Sequence, residues 1–598
     1  MSCRYINNKI LKETRETNMR KTKIVCTLGP ATLDDKILRK LMIEGMDVAR
    51  CNFSHGTHET HKVTFDRVDR LRRELDLPVA ILLDTKGPEV RVCQFAEGKI
   101  HLNKGEKFTL TSRDISGTNE IVSVTYKKLP EDVSEGSRIL LDDGLIELIV
   151  EKIVDGTDIV CKIMNNGDLS NNKGVNLPDT RLSMPYLSEK DTSDIIFGVK
   201  TGFDFIAASF VRCAEDVIQI RKILEEHNCQ TINIISKIEN QEGVDNIDEI
   251  IRVSDGIMVA RGDMGVEIPG EEVPSIQKMI IKKTVAAGKQ VITATQMLDS
   301  MMKNPRATRA EISDVANAIY DGTSAIMLSG ETAAGAYPIE SVQTMVRIAL
   351  KTEADIDYVK RFKERVGAGT NNVTSAISHA TCTTAHDLGA AAIVTVTKSG
   401  RTARMISKYR PASPILGCTT DDSVYRHMSL MWGVKPLLME EQKDADALFK
   451  EALEVAEHTG MVNKGELVVI TSGLPVGVSG TTNMIKVDVI GHILVSGVGV
   501  GTKQVCGNLC VCKTEEEAIK NFIEGDILVI PQTTNAILPL IKRAAGIITE
   551  ADGINSHAAI VGLAIDIPVI TGAAGATDIL KTGSVVSLDA ARGIVGSN

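Results

Sequence analysis

The stretch INIISKIENQEGVDNIDEIIRVSDGIMVARGD (232–263) decides the fold, because two short apolar runs flank one segment of helical length. INIISKI and GIMVA are continuous rather than alternating apolar runs, as expected for parallel strands that are covered on both faces. This order predicts a β-α-β unit. The first run carries Lys237 and leads to Glu239, and the second leads to Asp263.

The same unit recurs along the chain in both directions. Eight apolar segments end in polar or glycine residues and precede helical patterns: KIVCTLG (23–29), MDVARCNFS (46–54), VAILLDT (79–85), FDFIAASF (203–210), INIISKIE (232–239), GIMVARGD (256–263), QVITATQ (290–296) and AIMLSGE (325–331). Eight alternating strands and helices predict an α/β fold, a (β/α)8 TIM barrel, in which functional groups lie at the C-terminal ends of the strands. The polar residues at those ends are Asn52, Ser54, Asp84, Thr85, Ser209, Lys237, Glu239, Asp263, Thr295, Ser329 and Glu331.

The remaining segments predict further domains. The interval between the third and fourth strands is too long for one helical connection, and its alternating runs predict an inserted antiparallel β lid. After the barrel, strands and helices alternate as in an open doubly wound α/β domain, and a glycine-rich stretch leads to one more unit. The predicted division is 1–18 N-terminal tail, 19–87 and 186–351 barrel, 88–185 lid, 352–473 α/β domain and 474–598 final domain.

Composition excludes several functional classes. Lys and Arg total 68 against 78 Asp and Glu, a net charge of −10, and aromatic residues make up 3 % of the chain. A nucleic-acid surface is therefore not expected, because it needs basic patches and stacking rings. No run of about 18 apolar residues and no signal peptide is evident, which predicts no membrane association and a cytoplasmic location. The 12 cysteines are scattered, as is typical of reduced thiols.

Residue types at the strand ends suggest chemistry but leave alternatives open. Glu239 and Asp263 offer hard oxygen ligands for Mg²⁺, and Lys237 could neutralise a phosphoryl group or an enolate. A salt bridge at the barrel rim is the alternative reading of the same residues. Arg50 and Arg91 could bind phosphate. Asn52, Ser54 and Asp84, with a backbone carbonyl, would suit a monovalent cation, although ordinary polar residues of a protein surface are an equal interpretation of these residue types.

Over about residues 19–473 the chain resembles the pyruvate kinase family. The strings that carry the resemblance occur in the family's order and spacing: KTKIVCTLGP, VARCNFSHG, LLDTKGPEVR, GVNLP, SKIEN, DGIMVARGDMGVE, TATQML, RATRAEISDVANA and IMLSGETA. The resemblance implies a barrel with a mobile β-barrel lid and a C-terminal regulatory α/β domain. It also implies a homotetramer that transfers the phosphoryl group of phosphoenolpyruvate to ADP, giving pyruvate and ATP.

The resemblance implies a role for each matching site residue. Glu239 and Asp263 would bind Mg²⁺ or Mn²⁺, and Lys237 would stabilise the transferring phosphoryl group and the enolate. Thr295 would hold the substrate carboxylate or relay a proton, supported by Ser329 and Glu331. Arg50 and Arg91 would contact phosphate groups, and the backbone of Gly262 and Asp263 would bind the substrate carboxylate. K⁺ would be held by Asn52, Ser54, Asp84 and the Thr85 carbonyl, and Glu89 is the residue type that accompanies monovalent-cation dependence in the family. The residues implied at the nucleotide are Asn52, His55, Arg91 and Lys173.

A loop in the α/β domain is a candidate effector site. TVTKSGRTARM (395–405) follows a predicted strand and opens a predicted helix, an arrangement suited to binding phosphate. The loop residues expected to bind a phosphorylated allosteric effector are Thr397, Lys398, Ser399, Gly400, Arg401 and Thr402.

The final domain contains EADGINSHAAIVGLAIDIPVITGA (550–573), which resembles the phosphohistidine swivel domain of phosphoenolpyruvate-utilising enzymes such as pyruvate phosphate dikinase. His557 is the possible phosphohistidine. Because no ATP-grasp-like domain is found, a structural or oligomer-stabilising use is favoured over phosphotransfer.

Two other functions compete with a pyruvate kinase reaction. A phosphohistidine-dependent enzyme that makes phosphoenolpyruvate needs a nucleotide-binding domain that the sequence lacks. A non-catalytic metabolite sensor should have lost residues such as Lys237, Glu239 or Thr295, and all three are present. The sequence therefore favours the enzyme.

Overall fold

Eight parallel strands close into a barrel in the computed structural model, which describes residues 20–364, 372–442, 444–473, 482–491 and 493–597. Each of the eight predicted segments contains one barrel strand, and the strands follow one another around the barrel in chain order. The predicted TIM-barrel fold is thus confirmed. The strands are Lys23–Thr27, Val48–Asn52, Ala80–Asp84, Phe205–Ala208, Asn233–Ile238, Gly256–Ala260, Gln290–Ala294 and Ala325–Leu328.

Helices cover the outside of the barrel and bury one apolar face each against the strands. Several begin at side-chain caps, as at Thr308, whose hydroxyl accepts the Glu311 N–H while Glu311 bonds back to the Thr308 N–H. The helices are Asp35–Glu44, His58–Glu74, Glu189–Thr201, Ala214–Glu226, Gln241–Asp245, Ile247–Val253, Arg261–Glu267, Val273–Ala286, Arg309–Asp321, Gly330–Ala333, Pro338–Asp355 and Tyr358–Glu364.

The lid is a β domain with its own apolar core. Its strands are Val90–Arg91, Lys99–Leu102, Lys107–Thr111, Ile121–Ser123, Arg138–Leu141, Ile146–Val154, Asp158–Ile163, Gly167–Ser170 and Gly174–Asn176, with one short helix at Leu129–Asp132. Pairing is antiparallel, as predicted, except that Lys107–Thr111 and Ile121–Ser123 run parallel. The exception arises because residues 112–120 carry the chain back before it re-enters the sheet.

The chain divides into two compact units, of which the first holds the barrel and the lid together with residues 403–410 and 421–436. The α/β domain has a five-stranded sheet in the order Val434–Leu438, Ile415–Thr419, Ala392–Val396, Leu467–Ser472 and Met484–Val489. Its helices are Val373–Asp387, Arg401–Lys408, Asp422–His427 and Ala445–His458.

One predicted domain boundary is wrong. The predicted final domain, 474–598, includes Met484–Val489, yet this strand pairs antiparallel with Leu467–Ser472 along the full length of both strands. The edge of Leu467–Ser472 needs partners for its backbone groups, and Met484–Val489 supplies them. The glycine-rich sequence before Met484 suggested a linker, so the α/β domain was ended too early.

The final domain is built on an eight-stranded sheet. Its strands, in sheet order, are Ile493–Ser496, Ile594–Ser597, Val585–Asp589, Gln504–Val511, Ile527–Ile530, Gly546–Thr549, Val569–Thr571 and Val498–Val500. Its helices are Glu515–Asn521, Leu538–Ile541, His557–Ile565 and Ala576–Ile579. Both edge strands are consecutive in the chain and joined by Gly497, where a Cβ would lie 2.3 Å from the Thr571 carbonyl oxygen. None of the helices described in either unit is long and apolar enough to cross a bilayer.

A buried ion network stabilises the N-terminal end of the barrel. Asp204, 2 % exposed, accepts hydrogen bonds at Oδ2 from Arg72 Nη1 (3.2 Å) and the Ile81 N–H (2.8 Å). Its Oδ1 accepts from Arg426 Nε at 2.7 Å. One carboxylate therefore connects the second helix, the third strand and residues 421–436.

Replacing this carboxylate should destabilise the barrel strongly. Asp204→Ala leaves two guanidinium groups and one N–H without their acceptor, so we expect the free energy of unfolding to fall by about 3–5 kcal/mol. Asp66→Ala, which breaks only the exposed pair with Lys62, should cost less than about 1 kcal/mol. Urea denaturation followed by circular dichroism measures both, and equal midpoints for the two variants would contradict the assignment.

Candidate active site

The C-terminal ends of the second to fifth barrel strands bring together most of the polar residues predicted from the sequence. Asn52 and Asp84 are register partners on neighbouring strands, and Asp84 is also opposite Ala207 on the fourth. Lys237 lies near the end of the fifth strand. Because parallel strands end at one rim, residues that are far apart in sequence meet there.

Lys237 is the centre of this cluster. Its Nζ donates to Ser209 Oγ at 2.8 Å and to Asp84 Oδ1 at 3.1 Å, and lies 3.1 Å from Glu239 Oε1. Burial lowers the pKa of Lys237, but the carboxylates of Asp84 and Glu239 outweigh it and raise that pKa above its ordinary value. The side chain is therefore a fixed positive charge at neutral pH.

Asp84 holds two cations at once. Its Oδ2 accepts from Arg50 Nε at 2.6 Å, while Arg50 Nη1 also donates to Thr27 Oγ1 at 2.9 Å. Burial raises the pKa of Asp84, yet the attraction of Arg50 and Lys237 prevails and lowers it below the usual range. Asp84 is thus a permanent carboxylate that orients both positively charged groups toward one rim of the barrel.

Glu239 is fully buried and only half satisfied. Its Oε2 accepts the Phe210 N–H at 2.6 Å, whereas its Oε1 accepts no hydrogen bond of acceptable geometry. Burial, reinforced by repulsion from Asp263, raises the pKa of Glu239 to about 7 against the attraction of Lys237. The buried Oε1 accepts no hydrogen bond, although Lys237 Nζ lies 3.1 Å away, and together with Asp263 it fits a divalent cation that prefers oxygen ligands.

The four groups expected at K⁺ also lie together. Asn52 Oδ1 accepts the Ser54 N–H at 3.1 Å, and Asp84 lies beside Asn52 in register. The Thr85 carbonyl oxygen accepts Ser209 Oγ at 2.7 Å. All four offer oxygen atoms, which is the donor set that a hard monovalent cation requires.

Ser209 was counted among the polar strand ends but given no role. Its hydroxyl joins Lys237 Nζ, the Thr85 carbonyl and Asp84 Oδ1, the last at 3.2 Å. The serine thus connects the lysine to the group of oxygen ligands. Its place after the fourth strand was the only signal in the sequence.

The ends of the seventh and eighth strands lie on the other side of the rim. Thr295 has a φ of 73° and Gln296 a φ of 54°, in the left-handed region that costs non-glycine residues about 1–3 kcal/mol each. Glu331 is buried, and its two oxygens accept the N–H groups of Leu298 at 3.0 Å and Ser329 at 2.7 Å. Both Glu331 oxygens therefore bond to backbone and join the two strand ends.

A cleft of about 420 Å³ lies between lid and barrel. Arg91, Lys173 and Asp263 line it, whereas Lys237 and Glu239 are buried and do not. Arg91 Nε donates to Glu89 Oε2 at 2.8 Å, and Lys173 Nζ lies 2.8 Å from Asp142. The exposed His55 does not line this cleft. Direct contacts between lid and barrel include the hydrogen bond from Asn176 Nδ2 to Glu267 Oε1 at 3.0 Å and that from Arg212 Nη1 to the Met184 carbonyl at 3.1 Å.

Two candidate sites lie outside the barrel. In the effector loop, Lys398, Ser399 and Arg401 are exposed and Gly400 has a φ of 74°, while the Thr402 hydroxyl bonds to that of Thr482 at 2.8 Å.

In the final domain, His557 is the first residue of its helix and has a partner at each ring nitrogen. Nδ1 lies 2.9 Å from Thr533 Oγ1, and Nε2 lies 3.1 Å from Asn535 Oδ1.

Comparison with known proteins agrees with this arrangement. Residues 19–342 match the family model "Pyruvate kinase, barrel domain", 375–488 match "Pyruvate kinase, alpha/beta domain" and 522–593 match "PEP-utilising enzyme, mobile domain". Pyruvate kinase of Sporosarcina psychrophila is 51 % identical over 96 % of this chain and 99 % of its own length. That of Geobacillus stearothermophilus is 50 % identical, covering 96 % and 98 %.

A solved structure gives the same result. The crystal structure of a pyruvate kinase from Cryptosporidium parvum is similar with a TM-score of 0.75 and 40 % sequence identity, covering 79 % of this chain and 96 % of that one. The shared barrel, the shared α/β domain and identity near one half over almost the whole length lead to one conclusion: the chain belongs to the pyruvate kinase family.

Proposed function

We propose that this chain transfers the phosphoryl group of phosphoenolpyruvate to ADP, producing pyruvate and ATP. The observation that carries the proposal is the buried Lys237 ammonium, held between the carboxylates of Asp84 and Glu239 at the same barrel rim as Asp263, which lines a cleft with Arg91 and Lys173. Phosphoryl transfer needs little covalent chemistry from the protein, because positioning and neutralisation of charge supply most of the catalysis.

The positive groups fall into two sets that suit the two substrates. Lys237 and Arg50, fixed by Asp84, would neutralise the phosphoryl group during transfer and the enolate left behind. Arg91 and Lys173 would bind the nucleotide phosphates by exchanging their present carboxylate partners, Glu89 and Asp142, for phosphate oxygens. Closure of the lid would exclude water, which would otherwise intercept the phosphoryl group.

Glu239 and Asp263 would hold Mg²⁺ or Mn²⁺, and Asn52, Ser54, Asp84 and the Thr85 carbonyl would hold K⁺. The cations would add positive charge where the phosphoryl oxygens lie. The backbone N–H groups of Gly262 and Asp263 would bind the substrate carboxylate.

The product enolate must gain a proton to become pyruvate. Thr295 would hold the carboxylate or relay this proton, with Ser329 beside it. Glu331 would act indirectly, since both of its oxygens accept backbone N–H groups at the two strand ends.

Regulation and assembly are proposed from the family resemblance. Thr397, Lys398, Ser399, Gly400, Arg401 and Thr402 would bind the phosphate of an allosteric effector. The assembly would be a homotetramer in the cytoplasm, where thiols stay reduced, and no disulfide joins the described cysteines. The final domain would serve a structural purpose, with His557 hydrogen-bonded as an ordinary side chain.

Removing the central charge should abolish activity without unfolding the protein. For Lys237→Met we expect kcat to fall about 100- to 1,000-fold, because the enolate and the phosphoryl group lose their buried ammonium. Lys283→Met is the matched control, since Lys283 pairs with the exposed Asp248 on the outer helices and takes no part in the site. Pyruvate formation from phosphoenolpyruvate and ADP with Mg²⁺ is measured with and without K⁺, which should raise the wild-type rate. Inactivity of the folded wild type under all these conditions would overturn the proposal.

The metal assignment can be tested without turnover. Glu239→Gln keeps the shape of the side chain but removes its charge, so we expect Mn²⁺ to bind at least about tenfold more weakly. Electron paramagnetic resonance of free Mn²⁺ measures the binding. Glu242→Gln changes an acid of the same cleft that lies 3.7 Å from Arg181, and should bind Mn²⁺ like the wild type. The assignment fails if Glu239→Gln retains the wild-type affinity.

The effector loop should lose its ligand when it gains a negative charge. Ser399→Asp places a carboxylate among the exposed loop residues and should abolish activation by phosphorylated effectors, because like charges repel at short range. The rate is measured at low phosphoenolpyruvate across a panel of sugar phosphates and nucleoside monophosphates. The rate without effector serves as the control. Activation curves equal to those of the wild type would contradict the assignment of this loop as the effector site.

A further inference from the structure

We propose that Arg261 is a positioning residue for the phosphoryl-transfer reaction, holding Thr295 in the strained conformation from which its side chain acts. The inference rests on the proposed function, because it assumes that Thr295 contacts the substrate. It adds a residue that the sequence did not single out: Arg261 directly follows the sixth strand and precedes Gly262 and Asp263.

The backbone at the end of the seventh strand needs external support. Thr295 and Gln296 are consecutive non-glycine residues with φ values of 73° and 54°. The left-handed region is particularly unfavourable for a β-branched residue such as threonine. Two such residues in succession persist only when neighbouring groups fix them, and residues of this kind concentrate at functional sites.

The Arg261 guanidinium supplies that support on the carbonyl side. Its Nη2 donates to the Thr295 carbonyl at 2.8 Å and lies 2.7 Å from Met297 Sδ, while its Nε donates to the Ala294 carbonyl at 3.2 Å. Its Nη1 donates to Asp314 Oδ1 at 2.7 Å, so the helix Arg309–Asp321 outside the barrel holds the other side of the guanidinium group. The side chain is 12 % exposed, which shields these bonds from water.

The residue after Arg261 completes the arrangement. A Cβ on Gly262 would lie 2.7 Å from Thr295 Cγ2, so the threonine side chain packs directly against the Gly262 backbone. Two consecutive residues therefore act on Thr295: Arg261 bonds to its carbonyl, and Gly262, which has no side chain, leaves room for its side chain. From the eighth strand, Glu331 holds the Leu298 N–H at 3.0 Å, so the loop is fixed at both ends.

Only an arginine can make this set of contacts. The guanidinium is planar and donates from three separate nitrogens, whereas a lysine ammonium donates all its hydrogens from one nitrogen. Arg261→Lys should therefore retain the ion pair with Asp314 but lose most of the carbonyl bonds. Without the guanidinium bonds to the Ala294 and Thr295 carbonyls, Thr295 would relax toward an ordinary φ, and its hydroxyl would move away from the substrate.

The test is a double-mutant cycle in the full-length protein, using Arg261→Met, Thr295→Ala and the combination. We expect Arg261→Met to lower kcat/KM for phosphoenolpyruvate about 10- to 100-fold, as misplacement of a reacting group does. It should change the same parameter, kcat or KM, that Thr295→Ala changes. The double variant should be no worse than Thr295→Ala alone, and Arg261→Lys should fall between Arg261→Met and the wild type.

The matched control is Arg221→Met. Arg221 Nη2 bonds to Asp255 Oδ2 at 2.9 Å and to the Val253 carbonyl at 3.3 Å, at the opposite end of the sixth strand. It should leave kcat/KM within about twofold of the wild type, because it orders no residue of the site. Thermal melting of every variant shows whether a loss of rate follows a loss of fold.

A second readout separates positioning from general stability. Exchange of the methyl hydrogens of pyruvate with deuterium oxide, followed by proton NMR, reports the proton-transfer half of the reaction, and we expect Arg261→Met and Thr295→Ala to alter it equally. Effects that multiply in the double variant, or an Arg261→Met enzyme as active as the wild type, would overturn the inference while leaving the proposed function intact. An active Thr295→Ala enzyme would instead remove the proposed role of Thr295, and the inference with it.

Discussion

The rest of the site depends on one buried carboxylate, that of Asp84. It neutralises Arg50 and Lys237 together, which permits two cations to be buried at the end of a barrel whose interior is otherwise apolar. Glu239 adds a second buried acid beside Lys237, and burial raises its pKa to about 7. Lys237 and Arg50 supply the positive charge that an anionic ligand requires, and they are also the groups whose burial is costly.

Around this cluster, rigidity comes from bonds between side chains and backbone rather than from the strands alone. Glu331 and Arg261 each reach across to a neighbouring strand end, one accepting N–H groups and the other donating to carbonyls. Ser209 likewise connects Lys237 to the Thr85 carbonyl through its hydroxyl. A loop that carries strained residues is stable because the fold supplies a partner for its backbone on both sides.

The barrel and the composition of its rim could be predicted from the sequence, because continuous apolar runs mark buried parallel strands and polar residues at their ends share one rim. Contacts that depend on how the strands are aligned in the folded protein could not be predicted. Nothing in the spacing of Arg261 or Glu331 indicates that their partners lie on the next strand. Met484–Val489 was misplaced for the same reason, since its pairing with Leu467–Ser472 spans a glycine-rich interval that looks like a linker.

The sheet of the final domain constrains when that domain can form during synthesis. Its first strand, Ile493–Ser496, pairs with Ile594–Ser597, and the strand that follows it, Val498–Val500, pairs with Val569–Thr571. As the chain leaves the ribosome, both early strands must therefore wait for partners made much later, just as the first barrel strand, Lys23–Thr27, must wait for Ala325–Leu328. Neither the barrel nor the final sheet can therefore close before its own C-terminal strand has been made.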